Sequence, residues 1–595
     1  MVCLSRVAVV DRELCKPKKC NYECQRVCPL NRSGKDCITV DEETGYPIID
    51  ENICIGCGLC VNRCEKSGFR ALTIVNLPEQ LKERPIHRFG KNQFVLYRLP
   101  FPVQGKVVGL IGQNGLGKST SINILAGEIK PNLGEPGKKL DFAELMKMFR
   151  GTELQNYLEK LREKEIKVSY KLQRIDKIPE VYSGKVSKLL EKTDERGILN
   201  DVIQRFGVER VMESRIDEIS GGELQRVAIA ACLAKDADIY YFDEPTSFLD
   251  VFQRLEVSKT IREFCKQKSV IVADHDLATL DFLADAIHIF YGVPGVYGIV
   301  SSPYSVRVGI NAFLDGYIRE ENVRIRPQPI RFETGFIRTE ELKKVIIEFE
   351  NIRKTLGNFK LFIEKGKIHE KEVLGILGAN ALGKTTFARI LAGEIQQDSG
   401  MIGGKIKISY KPQYPSSTFE GTVKELLASV TKEVGSSSYK SEILRPLKLE
   451  KLLERKVNRL SGGELQRVAV ALALSRESDV YLLDEPSAFM DVEQRLALAK
   501  MVKRLVRTKE VSALIIDHDL LFLSQVADKA MVFLGEPGRQ GYAREPESVE
   551  HAFDRFLSRV GITFRKDPQS GRPRANKPDS RLDREQKEKG KYFLG

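Results

Sequence analysis

The sequence predicts an α/β protein in which one phosphate-binding cassette is repeated in tandem behind a small cysteine-rich domain, and three observations carry that reading. A glycine-rich loop after an apolar run occurs twice, at Gly112–Thr120 (GQNGLGKST) and Gly378–Thr386 (GANALGKTT). The heptapeptide SGGELQR follows each loop, at Ser220–Arg226 and Ser461–Arg467. Eight of the 12 cysteines fall into two groups, at residues 15–28 and 54–64. A chain of 595 residues has room for three or four domains. Its 42% hydrophobic and 30% charged residues are a globular composition, and no stretch approaches the ~20 consecutive apolar residues that span a bilayer. The apolar run Val7–Val10 is too short for a signal peptide, so a cytoplasmic protein is expected. The net charge of +13 suits a polyanionic partner, whose condensed counterions lysine and arginine release; a merely solvated basic surface is the plainer alternative.

Cys15, Cys20, Cys24 and Cys28 form one group, and Cys54, Cys57, Cys60 and Cys64 a second that reads CxxCxxCxxxC. In this spacing three thiolates wrap one face of a [4Fe-4S] cube while the fourth reaches a neighbouring cluster. The same exchange assigns Cys15, Cys20, Cys24 and Cys64 to one cluster and Cys28, Cys54, Cys57 and Cys60 to the other, with the swapped pairing as the alternative. Residues 1–77 are thus expected to be ferredoxin-like. The first group is stretched, and Glu65 stands where ferredoxins place proline, although Pro29 follows Cys28. Paired zinc sites are the competing reading, and reducing conditions argue against disulfides. Cys3, Cys37, Cys232 and Cys265 lack ligand spacing and read as structural.

Each glycine-rich loop fits GxxxxGK[ST] between a strand and a helix. Backbone N–H groups of Gly112, Asn114, Gly115 and Gly117, and of Gly378, Asn380 and Gly383, would cradle phosphates at a helix N-terminus. Lys118 and Lys384 would reach the β- and γ-phosphates, with Thr120 and Thr386 beside them, and Ser119 and Thr385 would ligate magnesium. The heptapeptide is the ABC signature. Ser220 with Glu223, and Ser461 with Glu464, predict capping boxes that open helices whose N-termini, including Gly221, Gly222, Gly462 and Gly463, face an anion.

Apolar strands then end in acid, at Asp243–Glu244 and Asp484–Glu485, the glutamate lying 24 residues after the signature serine in both halves. The aspartate suits magnesium, and the glutamate suits orienting or deprotonating the attacking water. His275 and His518, 31 and 33 residues further on, suit the γ-phosphate. Gln173 in SYKLQ and Gln413 in SYKPQ would join magnesium and the water site to domain movement. Asp250 and Asp491 take the D-loop position. Head-to-tail closure would combine Lys118, Gln173, Glu244 and His275 with Ser461 and Gly463, and Lys384, Gln413, Glu485 and His518 with Ser220 and Gly222. Ala381 replaces Gly115 in the second loop, which predicts unequal sites if that position needs an open conformation.

The glutamine follows the loop lysine by 55 residues in the first half and by 29 in the second, so the first cassette carries an insertion. Phe142, Leu145, Met146 and Phe149 share one helical face and Leu154, Tyr157, Leu158 and Leu161 another, which predicts a helix-loop-helix over about 141–165 with Thr152 and Gln155 as a capping box. Lys147, Arg150, Lys160, Arg162 and Lys164 suit either RNA phosphates or a solvated face. Tyr291–Tyr317 and Leu534–Val560 resemble each other and read as paired hinges. The tail Arg565–Lys591 carries a net +5 that suits rRNA or packing over the hinge. The boundaries expected are 1–77, 78–290, 291–330 (first hinge), 331–533 and 534–595 (second hinge and tail).

A ferredoxin-like start, two cassettes, an insertion and two hinges resemble the ABC subfamily E ribosome-recycling factors, also called the RNase L inhibitor family. The likeness covers essentially the whole chain, with further echoes in ALTIVNLP (Ala71–Pro78), HRFG (His87–Gly90), FRGTELQNY (Phe149–Tyr157) and GITFRKDP. It implies two [4Fe-4S] clusters, ATP and Mg2+. It implies an ATPase whose closure swings the iron-sulfur domain against a release factor or its surveillance paralogue and splits the ribosome, leaving the factor on the small subunit. Further implied partners are rRNA and translation initiation factors, with no membrane and a monomeric chain whose cassettes pair internally. Phe89 or Phe94, and Phe359, are the aromatic candidates for stacking on adenine. Two other readings are an ATP-gated electron carrier and a cytosolic ABC ATPase of nucleic-acid repair or with a separate membrane partner. No flavin motif supports the first, and neither the clusters nor the absence of long coiled coils suits the second.

Overall fold

The computed structural model describes residues 5–12, 14–42, 44–50, 53–77, 84–90, 93–137, 142–332, 344–404, 406–413 and 418–594. Cys3 and Pro78 lie outside them, as does the Phe142 side chain. The chain divides into two units: Met1–Pro102, Leu110–Lys167 and His288–Pro303 form one, and Val103–Gly109, Val168–Ile287 and Tyr304–Gly595 form the other.

In the first unit, strand Ser5–Val10 pairs antiparallel with Leu72–Leu77 and so closes the cysteine-rich segment on itself. Short helices Pro17–Cys20, Glu23–Val27 and Leu59–Lys66 and the hairpin Ile38–Val40/Pro47–Ile49 fill the interval. The core here is small, Ala8, Val10, Ile38, Ile49 and Leu72 packed with five buried cysteines. A domain this short buries little apolar surface, and thiol-bound metal ordinarily supplies the missing stability. The same unit holds a small sheet in which Val95–Tyr97 lies between His87–Arg88 and Tyr297–Val300. The loop helix Lys118–Leu125 belongs to it too, as does the insertion, helices Phe142–Met148 and Glu153–Arg162. Leu145, Leu154, Tyr157 and Leu158 are buried, and the Tyr157 hydroxyl donates to the Leu125 carbonyl at 2.5 Å, fastening the insertion to the loop helix. The Thr152 capping box is only half formed. Gln155 N donates to Thr152 Oγ1, but the Gln155 side chain accepts from Gly151 N rather than from Thr152.

In the second unit, Val168–Lys171, Ile239–Asp243 and Ser269–Ala273 are parallel neighbours, the last two buried throughout. Continuous Ile, Tyr, Phe and Val runs are what a sheet covered on both faces requires. The second cassette repeats this arrangement in the order Ile408–Lys411, Val480–Asp484, Ser512–Ile516, Val373–Gly378 and Lys529–Glu536, followed by a largely antiparallel flank that includes Val345–Leu356 and Phe359–His369. Asp484 and Gly378 are the last residues of their strands, so the acid and the phosphate loop meet at the carboxyl edge, where open α/β sheets bind ligands.

The hinge boundaries need correction. Tyr291 pairs with Ile299 and Leu534 with Tyr542, so both expected hinges begin inside sheet hairpins. Their glycines serve close approach: a Cβ on Gly298 would stand 2.0 Å from the Leu116 carbonyl oxygen, and one on Gly541 2.0 Å from that of Leu382. The hairpins run against the phosphate loops, and only beyond them do the helices Val306–Asp315 and Val549–Val560 begin.

Candidate functional site: paired ATP-binding cassettes

The second cassette presents its machinery within one unit. Lys384 opens the helix Lys384–Leu391 and donates its ammonium to the Gly378 and Ala379 carbonyls at 2.8 and 2.6 Å. Burial pulls its pKa down to about 8 against the opposing fields of Asp250, Glu485 and Asp484. Thr385 Oγ1 donates to Asp484 Oδ2 at 2.7 Å. The other carboxylate oxygen, Asp484 Oδ1, is buried without a hydrogen-bond partner, and burial raises this acid to about 6. An orphaned anionic oxygen beside a hydroxyl is the donor set a hard divalent cation requires, so the residues fit magnesium.

Glu485 is the convergence point. Its Oε1 accepts from Gln413 Nε2 at 2.7 Å and lies 3.3 Å from His518 Nε2. Burial would raise this acid, but the adjacent His518 and the fields of Lys384 and Lys411 outweigh it and hold the carboxyl at about 2. The base is therefore ionised at every physiological pH. Its backbone sits at φ 47°, a left-handed conformation that costs a non-glycine residue on the order of 1–3 kcal/mol and clusters at functional sites. Two braces hold it there that sequence reasoning missed. The fully buried Lys411 donates to the Asp484 and Glu485 carbonyls at 2.7 and 3.2 Å, and Gln466, inside the signature, donates to the Glu485 carbonyl at 2.5 Å. The signal was available: Lys171 and Lys411 each stand two residues before the motif glutamine, and Gln225 and Gln466 occupy the same signature position.

The first cassette repeats this geometry within the second unit. Gln173 Nε2 donates to Glu244 Oε1 at 2.7 Å, His275 Nε2 lies 3.5 Å from the same oxygen, and Glu244 sits at φ 48°. Lys171 donates to the Asp243 and Glu244 carbonyls, and Gln225 to those of Glu244 and Pro245. In the other unit Lys118 donates to the Gly112 and Gln113 carbonyls at 2.8 and 2.9 Å. Gly115 and Ala381 are both left-handed, at φ 78° and 58°, so the second loop adopts the glycine conformation despite its Cβ. Phe94 packs against Gly117 and Phe359 against Gly383 in matching fashion, whereas Phe89 is half exposed and its ring stands perpendicular to that of His87.

Both signature helices, Gly221–Ala234 and Gly462–Ser475, start with complete capping boxes on Ser220/Glu223 and Ser461/Glu464. Between the halves, Asp250 Oδ2 accepts from the Asn380 backbone N–H at 2.8 Å, and Phe248 meets Phe489 edge to face at 5.6 Å. The D-loop of the first cassette thereby reaches the phosphate loop of the second.

In the cysteine-rich domain, Cys15, Cys20, Cys24 and Cys64 lie within electrostatic reach of one another, and the thiols of Cys15 and Cys24 are pushed up to about 12, chiefly by burial. Cys64 Sγ accepts from the Ala71 N–H at 3.2 Å, as cluster thiolates do. Cys28, Cys54, Cys57 and Cys60 line a second, apolar cavity with Ile38, Ile55 and Ile74. Cys37, which lacks ligand spacing in the sequence, also lines it, within hydrogen-bonding reach of Cys28 and Cys54. Cys232 and Cys265 are buried in the first cassette, Cys232 against the Ser169 hydroxyl.

The ABC transporter family model matches residues 102–247 and 364–488, and the model of a possible Fer4-like domain in RNase L inhibitor matches residues 5–36. An ABC transporter ATP-binding protein of Methanocaldococcus jannaschii is 50% identical over 99% of this chain and 97% of its own. The ABCE1 chain in a model of ribosome-bound archaeal Pelota and ABCE1 is 48% identical, with a TM-score of 0.94 over the full length of both chains. The chain belongs to the ABCE1, or RNase L inhibitor, family. A further ABCE1, an archaeal ribosome recycling factor crystallised with the ribosomal stalk protein aP1, is 49% identical with a TM-score of 0.83, covering 87% of this chain and all of its own. In the ABCE1 family frame, the fold is two tandem ABC domains behind an iron-sulfur domain, and the chain is an ATPase. Among the described residues no helix is long and apolar enough to cross a membrane.

Proposed function

We propose that this chain is a cytoplasmic ribosome-recycling ATPase that splits ribosomes into subunits after termination or stalling, closure of its cassettes on ATP moving the iron-sulfur domain. The observation that carries the reading is the full-length likeness to ribosome-bound ABCE1, the iron-sulfur domain included. Glu485, ionised and held by Gln413 and His518, orients and deprotonates the attacking water; Glu244, with Gln173 and His275, does so in the first cassette. Lys384 neutralises charge developing on the γ-phosphate, and Ser220 of the opposite signature completes the cradle. Magnesium, bound by Thr385 and Asp484 with Gln413 in the second half, would supply charge neutralisation at the β- and γ-phosphates. Two [4Fe-4S] clusters, on Cys15, Cys20, Cys24 and Cys64 and on Cys28, Cys54, Cys57 and Cys60, would stiffen the domain that is moved. The partners are the small subunit and its rRNA, a release factor or Pelota-like paralogue, and initiation factors that meet the subunit afterwards. The chain acts as a monomer.

The test is ATP-dependent co-sedimentation with small ribosomal subunits. A Glu244→Gln, Glu485→Gln variant, which binds ATP without turning it over, is expected to accumulate on the subunit with ATP and not with ADP. Sedimentation indifferent to nucleotide would defeat the reading.

A further inference from the structure

Four charged side chains that the catalytic assignment does not use stand where the two cassettes meet. Arg254, one turn into the helix Val251–Phe264 that Asp250 caps, donates Nε to the Leu249 carbonyl at 2.8 Å and Nη1 to Asp276 Oδ2 at 3.1 Å. Asp276 directly follows His275 and caps the next helix through the Ala278 and Thr279 N–H groups. The second cassette repeats the pattern: Arg495 donates to the Met490 carbonyl at 2.9 Å and to Asp519, which follows His518 and caps Leu520–Val526 through Phe522 N–H. In both halves an arginine thus ties the D-loop backbone to the residue after the switch histidine.

The two pairs meet. One cavity is lined by Arg254, Asp276, His518 and Asp519, and the Arg495 guanidinium lies close enough to Asp276 to lower its pKa together with Arg254, against the opposing effect of burial. All four side chains are at most 14% exposed. Charge-assisted arginine–carboxylate bonds in such surroundings are directional and resist rearrangement singly. Asp250, at the far end of the same link, holds the Asn380 amide of the second phosphate loop.

We propose that Arg254, Asp276, Arg495 and Asp519 are positioning residues forming a relay by which nucleotide bound at the Glu485 site sets His275 at the Glu244 site. The proposal rests on the assignment of composite ATP sites above. Filling the second phosphate loop shifts Asn380 and hence Asp250. The rigid Arg254 link carries the shift to Asp276 and the adjoining histidine, and the Arg495–Asp519 pair holds the other side of the junction.

In the full chain, Glu485→Gln is preloaded with ATP and freed of unbound nucleotide, and single-turnover phosphate release from the Glu244 site is compared with that of the unloaded protein. The parent is expected to show a ratio of tenfold or more. Adding Arg254→Leu with Asp276→Asn removes both charges of one pair while keeping the helix cap. This is expected to bring the ratio within twofold of unity, with ATP still trapped at the site carrying Glu485→Gln and the melting temperature little changed. Arg254→Lys should give an intermediate ratio, whereas a merely structural role would lower stability and leave the ratio intact. An unchanged ratio in the double-charge variant overturns the relay alone; a parent in which preloading traps no ATP, or alters nothing at the Glu244 site, overturns the relay together with the composite sites.

Discussion

Asp484 and Glu485 are adjacent carboxylates whose environments drive their acidities apart, the first to about 6 and the second to about 2. Separation of this kind assigns roles: the acid that stays ionised is the base, and the acid that holds a proton until a cation displaces it is the metal ligand. Without metal, Asp484 is neutral below its raised pKa and charged above it, so protons compete with magnesium as pH falls through about 6. Apparent Mg2+ affinity at the second site is expected to be constant above pH about 7 and to fall about tenfold per pH unit below about 6, one proton being exchanged. Magnesium titrations of ATP hydrolysis in the Glu244→Gln background, where only the second site turns over, measure this directly. A flat affinity down to pH about 5 would show that Asp484 is not the displaced acid. Since its folded pKa is raised, the charged form destabilises the metal-free fold above pH about 4, and Asp484→Asn is expected to stabilise that form at pH about 7 while abolishing the metal response.

At the scale of the element, the phosphate loops show why a single added methyl group, Ala381 in place of Gly115, need not be silent. Gly115 and Ala381 share the left-handed region, which costs an L-residue roughly 1–2 kcal/mol and glycine nothing. About 1 kcal/mol, carried unequally by the closed and open loops, is worth ~fivefold in a rate. Single-turnover hydrolysis in Glu244→Gln is therefore expected to differ from that in Glu485→Gln, and Ala381→Gly added to the former should narrow the gap. Equal rates before the change would dismiss the idea. The loops, signatures and acidic strands were legible because each is a contiguous string repeated in both halves, with chemistry set by local backbone geometry. Lys411 and Gln466 were not, although they are as buried as any core residue, because their partners are backbone carbonyls 73 and 19 positions away. The hinge boundary was misread for a related reason. Gly298 and Gly541 look like flexibility along the chain, yet each exists to let a strand pass a phosphate loop. Cys37 escaped a rule based on spacing, since the hairpin Ile38–Val40/Pro47–Ile49 brings it to the second cavity.

Across the whole molecule, the basic tail illustrates how charge counted along a sequence is redistributed by folding. Arg572 and Arg574 add to the net +5 that suits either rRNA or packing over the hinge, and the second holds for these two: Arg572 is fully buried 3.2 Å from Asp281, and Arg574 donates twice to the same carboxylate at 2.6 Å across 293 residues of chain. Asp281 lies on Leu277–Leu283, the helix that follows His275, so the end of the chain is fastened to the first cassette's switch region. Asp567, beside the same cluster, faces Arg307 and Asn311 on the helix Val306–Asp315, and backbone and side-chain donors hold it at about 2 despite burial. Its contribution to stability is present above pH about 4 and lost as pH falls through about 2. Arg572 and Arg574 are therefore structural before they are anything else. Asp281→Asn is expected to cost about 3–5 kcal/mol, because it leaves a buried guanidinium without its counter-charge, whereas replacing Asp281, Arg572 and Arg574 together by Leu, Met and Met should cost far less. Urea unfolding of the two variants separates these outcomes, and a single variant no less stable than the triple one would mean that the cluster is solvated in solution. The remaining exposed tail residues, Arg581 and Lys589 among them, keep their charge for an external polyanion. The triple variant, having lost only buried charge, should therefore retain the salt dependence of ribosome binding shown by the parent.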